Sequence, residues 1–445
     1  MRGILGWGVH LPHGRLDRTQ IAPLVGTGGG KGTRSIASYD EDSTTMAVEA
    51  GRRLRRTGGP APRALWFATT TPAYLDKTNA TAIHAALRLD RTAGAYDAVG
   101  SVRSAAGAIR AALDGTAPAL VIGSDVRNGR PGSADESAGG DAAAAMLIGS
   151  DADGPILAEL IGTAALSEEF LDRWRPPGDA GSRLWEERFG ETRYVPLATE
   201  VFKLALGEGG IDAAAVDALV VAGLHDRACA AAARASGVAA DRVADRLSAT
   251  VGNPGAAAPG LLLARALETA TPGQVVVLLV LSDGADAFVF RATDALSRYA
   301  PIEPVAAQIM TGTPVAYGRY LAWRGFLAVE PPRRPEPSRP SASAAGRNTN
   351  WKFGLASGSG VLSDQRGTVT TFTVDRLAYS PSPPVVFAVV DFDDGERLPV
   401  ELTDVTPEEV EVGMRVEMTF RRLFTADGIA NYFWKARPVR EVESA

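Results

Sequence analysis

RALWFATTTP at 63–72 and DALVVAGLHD at 217–226 are the stretches whose reading decides the fold. Each is a short apolar run ending in a polar turn, the pattern of a strand buried on both faces. A second pair lies further along: PALVIGSDVR at 118–127 matches VVVLLVLSDG at 275–284. Both members of that pair are followed by another apolar strand, AAAAMLIG and DAFVFRA. Leu65 and Leu219 stand 154 positions apart, and Ser124 and Ser282 stand 158 apart. Two nearly equal spacings favour a duplicated unit of about 150 residues over unrelated strands that merely look alike. Helical stretches such as AAGAIRAALDG and PGLLLARALETA alternate with the strands, so the class is α/β.

The 445 residues leave room for more than this duplication. Acidic residues number 52 against 46 Lys and Arg, and the net charge of −6 argues against a nucleic-acid-coating or polybasic membrane role. A single cysteine, Cys229, excludes an internal disulfide and a cysteine-built zinc site. Four histidines (His10, His13, His84 and His225) leave little material for a histidine metal centre. The N-terminal MRGILGWGVHLPHGRLDR is too broken for a signal peptide, and no run reaches the roughly 20 apolar residues of a membrane span. A cytoplasmic protein is expected.

The two halves are expected at 1–155 and 156–295, with a helix and linker at 296–350 and a β domain at 351–445. YGRYLAWRGFLAVE (317–330) has a helical aromatic and apolar face, whereas PPRRPEPSRPSASAAGRNTN (331–350) has linker composition. GTVTTFTVDRLAY, PPVVFAVVDFDDG, VGMRVEMTFRRLF and IANYFWKARPV then follow, separated by turn signals such as DDGE and TADG. Four or five strands in about 90 residues fit a small β-barrel.

Several segments carry a resemblance. DEDSTTMAVEAGRRL (40–54), ATTTPAYLDKTNA (68–80), YDAVGSVRSAAGAIRAAL (96–113), GSDVRNGRPGSADESAGGDAAAAMLIGSD (123–151), VVAGLHDRACAAAARASG (220–237) and TVGNPGAAAPGLLLARALE (250–268) resemble the thiolase superfamily. The branch is that of hydroxymethylglutaryl-CoA synthase and the type III ketoacyl synthases. The resemblance implies a duplicated αβαβα five-layer fold, a homodimer, and a coenzyme A thioester as substrate with no bound cofactor. Residues 347–438, through GTVTTFTV, PPVVFAVVDFDDGERLPVELTDV and VGMRVEMTF, resemble an OB-fold family that pairs with thiolase-like enzymes acting on acyl-CoA. That family usually precedes its barrel with a four-cysteine zinc ribbon. WKFGLASGSGVLSDQRGTV (351–369) runs to the first strand without a cysteine, so no metal is expected.

The resemblance also assigns positions. The synthases place a nucleophilic cysteine five residues after an aspartate; here Asp97 leads to Val102, which cannot be acylated. Ser101 and Ser104 flank it but point elsewhere on a helix. His225 in GLHD and Asn253 in VGNPGAA match the pair that donates hydrogen bonds to the thioester carbonyl. The synthase's general-base glutamate falls near Thr70. Asp76 close by supplies a carboxylate or caps the following helix, and Tyr74 is a further candidate acid. Cys229, one helical turn past His225, is expected to pack rather than react. GGDAAAAML (139–147) matches a glycine-rich turn, with Asp141 structural.

GGGKGTR (28–34) lacks the spacing of a phosphate loop, and Lys31 and Arg34 there either sit on a mobile loop or reach a CoA phosphate. Tyr432, Phe433 and Trp434 form either a stacking platform for single-stranded nucleic acid or, as the charge favours, a packed core or interface. Neither a nucleic acid nor a membrane is an expected partner.

These residues point first to non-covalent aldol or retro-aldol chemistry on acyl-CoA or acyl-carrier thioesters. Two alternatives stay open. One is acyl transfer to an amine or hydroxyl acceptor in specialised metabolism, with His225 as base. The other is a non-catalytic partner that scaffolds an active thiolase-like protein through the OB domain.

Overall fold

The computed structural model describes residues 1–330, 334, 349–354, 356–357 and 360–440. Most of the linker expected at 331–350 lies outside the described residues.

The chain opens on β1 (Arg2–His10), then a ribbon of β2 (Gly14–Asp17) and β3 (Thr33–Ile36) with α1 (Ile21–Val25) between them. The first half continues through α2 (Ser43–Arg56), β4 (Ala64–Thr69), α3 (Ala80–Ala86) and β5 (Gly94–Val99). It ends with α4 (Arg103–Asp114), β6 (Ala119–Asp125), α5 (Ala134–Ala138) and β7 (Ala142–Ser150). The second half contains β8 (Ala158–Ser167), a ribbon of β9 (Arg173–Trp174) and β10 (Arg183–Leu184), and α6 (Glu187–Glu208). β11 (Ala218–Gly223), α7 (Asp226–Ala235), α8 (Ala258–Leu267), β12 (Val275–Leu281) and β13 (Gly284–Ala292) complete it.

Nine strands form one mixed sheet in the order β11-β12-β13-β8-β1-β7-β6-β4-β5. The halves meet where β1 pairs β8, with Gly3 opposite Glu159 and Ile4 opposite Ala158. Outward from that seam the pattern repeats. β1–β7 and β7–β6 are antiparallel and β6–β4 parallel; β8–β13 and β13–β12 are antiparallel and β12–β11 parallel. The strand pairs matched in the sequence are therefore β4 with β11 and β6 with β12. The halves differ at their outer edges. β5 pairs β4 along its length, while the second half has only a parallel bridge between Leu219 and Val243.

Side-chain alternation sorts these strands into layers. Val276, Leu278 and Val280 of β12 pack in a central cluster with α4 and α8, whereas Val275, Val277 and Leu279 pack with α6 and α7. In β7, Ala144 and Met146 face the centre, and Ala143, Ala145 and Leu147 face α2 and α3. Five layers result: helices, sheet, helices, sheet, helices. After them, α9 (Val305–Met310) and β14 (Thr313–Pro314) lead to α10 (Tyr317–Trp323), whose Tyr317 and Tyr320 pack on Leu16 and Ile36.

Past α11 (Thr349–Gly354) and the short pair β15 (Ala356–Ser357) and β16 (Gly360–Val361), five antiparallel strands form the C-terminal domain. They are β17 (Arg366–Asp375), β18 (Val385–Phe392), β19 (Arg397–Glu401), β20 (Arg415–Ala426) and β21 (Ile429–Pro438), ordered β19-β18-β17-β20-β21. Thr403 N donates to Ala436 O at 2.9 Å, drawing the far edge back onto β21 and curling the sheet toward a barrel.

This domain docks on α2 through β20 and β21. Tyr432 and Trp434 stack around Phe420 at 5.5 and 5.1 Å, Tyr432 Oη donates to Asp42 Oδ2 at 2.9 Å, and Arg52 lies over Trp434 at 4.7 Å. The aromatic group is thus interface core, not an open stacking platform. Around it, buried charges pair across the junction. Arg421 reaches Glu41 at 3.0 Å, Lys435 reaches Asp40 at 2.9 Å and Arg437 reaches Glu49 at 3.3 Å across it, while within the C-terminal domain Arg421 also pairs with Asp404 at 2.5 Å and Arg437 with Glu417 at 2.7 Å.

Candidate active site

A cavity of about 840 Å³ opens at the carboxyl ends of the parallel strands β4, β6, β11 and β12. Thr70 and Thr71 line it after β4, Arg127 and Asn128 after β6, and Leu224 and His225 after β11. The β9–β10 ribbon and the Ser282–Asp283 turn close its other sides. Strand ends at such a switch from sheet to helix are where α/β folds place ligands.

Val102 stands at the N-terminus of α4, 1% exposed, and lines the cavity. No side chain caps that helix end, so the positive end of its dipole meets the cavity with a side chain that cannot attack a thioester. Ser101 also lines the cavity; Ser104 does not.

His225 is the N-cap of α7, and its Nδ1 accepts a hydrogen bond from Ala228 N at 3.0 Å. The proton of the neutral ring therefore sits on Nε2. α6 crosses directly over the ring: a Cβ on Gly190 would lie 2.5 Å from His225 Cδ2 and 2.7 Å from Nε2. Asp172 Oδ2 is 3.6 Å from the same point, so the carboxyl and the imidazole both lie against Gly190 of α6. Its carboxyl is raised above the usual range by burial and then by the charge of Asp283, against a hydrogen bond from Tyr194. Asp172 lines the cavity, yet nothing in EEFLDRWRPPGD marks it out in the sequence.

Asn253 is not in the cavity lining. Its Nδ2 donates to Gly223 O at 2.7 Å and its Oδ1 accepts from Gly255 N at 3.1 Å. Arg246 donates to the same Gly223 oxygen at 2.9 Å. Asn253 thereby anchors the end of β11 two residues before His225. Cys229 is fully buried on α7, and burial pushes its thiol up to about 11.

Thr70 occupies the position matched to a general base, but its Oγ1 donates to Asp125 Oδ2 at 2.8 Å and accepts from Arg127 Nη1 at 2.9 Å. Asp125 organises this wall. Its buried carboxylate also accepts from Thr69 Oγ1 at 2.9 Å, Thr70 N at 2.6 Å and Ala256 N at 2.7 Å. It was missed in the sequence because a lone aspartate after a strand carries no spacing signal.

Other expected residues lie elsewhere. Tyr74 Oη accepts from Ala430 N of the OB domain at 2.8 Å, and Asp76 is exposed; neither lines the cavity. The acid at the start of α3 is Asp97, which accepts from Asn79 N and Ala80 N at 2.7 Å each, so Asp76 is not its cap. Lys31 is exposed away from the cavity. Arg34 is corrected as a phosphate ligand: it is wholly buried and donates to Glu136 O at 2.5 Å and Arg127 O at 2.8 Å. Asp141 is structural, accepting from Ala37 N and Arg127 N at 2.7 Å each. Among the described residues no group of three or more His, Cys, Asp or Glu is placed to hold a metal, and a ribbon of cysteines cannot be built from Cys229 alone.

A duplicated five-layer α/β domain, with its cavity at a buried helix N-terminus, defines the thiolase-like class. The α/β part of this chain is a thiolase-like domain related to hydroxymethylglutaryl-CoA synthase and FabH, and the β part is a ChsH2-type OB-fold domain. The family described as "ChsH2, C-terminal OB-fold domain" matches residues 361–421. Over 348 residues the chain is 26% identical to hydroxymethylglutaryl-CoA synthase of Pyrobaculum calidifontis, covering 74% of this chain and 98% of that protein. It is 28% identical over 347 residues to that of Archaeoglobus fulgidus, covering 73% and 98%. A hydroxymethylglutaryl-CoA synthase complexed with CoA superposes with a TM-score of 0.61 at 18% identity, over 72% of this chain and 89% of that one. FabH from Pseudomonas aeruginosa PAO1 superposes at 0.58 with 21% identity, over 66% and 98%. At these identities the superpositions speak for the fold.

Proposed function

We propose that this chain is an enzyme that holds an acyl-CoA or acyl-carrier thioester without being acylated, and makes or breaks a carbon–carbon bond by aldol or retro-aldol chemistry. The observation that carries this reading is the pairing in one cavity of Val102 at the N-terminus of α4 with His225, whose Nδ1 accepts from Ala228 N. His225 as a donor to a carbonyl, with Val102 in the nucleophile's place, supports a thioester held without acylation. Solved relatives of this fold held CoA in one case and 3-hydroxy-3-methylglutaryl coenzyme A in another, which supports a thioester as ligand. A third was solved with an acetyl-donor ACP, which supports a carrier-bound form.

In the retro-aldol direction, Asp172 takes the proton of the β-hydroxyl, the Cα–Cβ bond breaks, and a carbonyl product forms. The electron pair passes to the thioester, whose oxygen accepts the His225 Nε2–H and lies in the positive field of α4. The enolate then takes a proton at Cα, and the reverse sequence is the aldol addition. Asp172 suits the proton step because its raised pKa lets it hold and return a proton nearer neutrality than an exposed carboxyl. The chain is proposed to act as a homodimer, supported by β5, an edge strand with Tyr96 and Val99 half exposed.

The test is exchange at Cα, which needs no knowledge of the carbonyl partner. Acyl-CoA thioesters incubated with the protein in D₂O are expected to gain deuterium at Cα, read by mass spectrometry, while the protein mass stays unchanged. His225→Ala should lower the exchange by on the order of 10²–10³-fold, the usual effect of losing one oxyanion donor. An acyl adduct on the intact protein would overturn the non-covalent reading. Exchange seen only with an added thiolase-like partner would make this chain the scaffold.

A further inference from the structure

Gly190 and Tyr194 stand four residues apart on α6, so both look out from one helix face, a turn apart. Gly190 lies against His225 and Asp172. Tyr194 is 4% exposed, lines the cavity and sets its ring 6.3 Å from the His225 ring. Phe170 packs edge-on against the same phenol ring at 5.0 Å. The partners of the hydroxyl decide where its proton points. Asp283 N donates to Tyr194 Oη at 3.3 Å, and a backbone N–H can only donate. Tyr194 therefore keeps its single proton for Asp172, with which it shares a hydrogen bond. Burial, then the charge of Asp172, raises the phenol far above its ordinary range, so Tyr194 stays a donor. Asp283 takes a left-handed backbone, φ 47°, held by that bond on one side and by Arg103 Nη1 on its carbonyl on the other.

Resting on the reading of Asp172 as the proton carrier above, we infer that Tyr194 is its positioning residue: the hydroxyl occupies one oxygen of Asp172 and leaves the other to handle protons of the substrate. In the exchange reaction that second oxygen takes the Cα proton, and the electron pair of the C–H bond passes to the thioester. Tyr194 also opposes Asp283. A donor at one oxygen favours the ionised carboxyl, whereas the charge of Asp283 favours the protonated one. The other groups around Asp172 are Arg173, its neighbour in the chain, which favours ionisation, and His225, which lies with it against Gly190. Arg173 is itself paired to Asp135 at 2.8 Å.

Two variants separate this role from a merely structural one, because they move Asp172 in opposite directions. Protein labelled with ¹³C at its aspartate carboxyls is titrated by NMR, the Asp172 signal being the one lost in Asp172→Asn. Tyr194→Phe removes the donor while keeping the ring against Phe170, and is expected to raise the midpoint of Asp172. Asp283→Asn removes the neighbouring charge, keeps the backbone N–H and suits a left-handed position; it is expected to lower the midpoint. Deuterium exchange at Cα of an acyl-CoA is then followed across pH. Asp172→Asn should reduce it by on the order of 10²–10⁴-fold, and in the other two variants the acid limb should move with the NMR midpoint. A midpoint that stays in place in Tyr194→Phe, or moves the same way in both variants, overturns the inference and leaves the thioester reading standing. So does an exchange profile that stays in place when the midpoint moves. A wild type that exchanges at no pH overturns both.

Discussion

Gly190 shows how a single missing side chain shapes this site. With His225 atoms at 2.5 and 2.7 Å from where its Cβ would stand, Gly190→Ala must displace the imidazole or the start of α6. Deuterium exchange is expected to fall by on the order of 10²-fold, as for loss of the donor itself, with the thermal midpoint little changed. Unchanged exchange would mean that His225 does not contact the thioester. Val102→Cys tests the complementary point. A thiol at the N-terminus of α4 gains reactivity from the dipole, so the variant should be alkylated by iodoacetamide at neutral pH and acquire an acyl mass with acyl-CoA. The wild type should resist alkylation, because Cys229 is buried with its thiol pushed up to about 11. At this scale the sequence, through its resemblance, pointed to Val102 and His225, and both line the cavity. It did not show Asp172 or Asp125, whose importance comes from neighbours 55 or more positions away, such as Thr70 and Ala256 around Asp125, or from α6 folding back over the cavity.

The elements were legible where burial imposes a pattern. β4, β6, β11 and β12 are apolar on both faces because they lie between helical layers, and the OB strands alternate between turns that the sequence marks clearly. The 72–79 loop was not legible. Its Tyr74 looks like a site residue beside Thr70, but Tyr74 turns to meet Ala430 while Pro72 and Leu75 of the same loop line the cavity. β5 carries the prediction proper to this scale. As an edge strand it offers unpaired backbone groups beside Tyr96 and Val99, 49% and 47% exposed. Light scattering is expected to find a dimer for the wild type and a monomer for the double substitution Tyr96→Lys, Val99→Lys. A monomeric wild type at micromolar concentration would remove β5 as the interface.

Across the whole molecule, the OB domain is held by charge as much as by apolar contact. His13 at the junction accepts from Arg440 at 2.5 Å, and burial draws its pKa down to about 4. Burial, then Arg53, also draws His10 well below its ordinary value. Unfolding lets both histidines take up protons, so stability is complete above their ordinary pKa of 6.5 and declines as pH falls below it. Burial alone would raise Asp40 and Glu417, but their cationic partners hold both down to about 2, so their contribution is lost at lower pH still. The thermal midpoint should accordingly fall in two stages, first below about pH 6.5 and then below about pH 4. His13→Gln should flatten the first stage; an unchanged profile would show that His13 does not report docking. Arg421→Met leaves Asp40, Glu41 and Asp404 facing one another and should destabilise the protein by about 3–5 kcal/mol in chemical denaturation.

The near-equal spacing of two strand pairs and the run of turn-bounded β segments marked the duplicated α/β class and the small β domain from sequence alone. Such features are local or periodic, because each follows from how one strand or helix must bury its own apolar side chains. Only the tertiary structure decided that Arg34 is a buried strut, that Asn253 anchors β11, and that Asp40, Glu49, Arg421 and Lys435 lie inside rather than on the surface. A charged side chain carries no sign of its burial in the sequence. Its environment is set by partners from distant parts of the chain, and those partners meet only when the two domains close on one another.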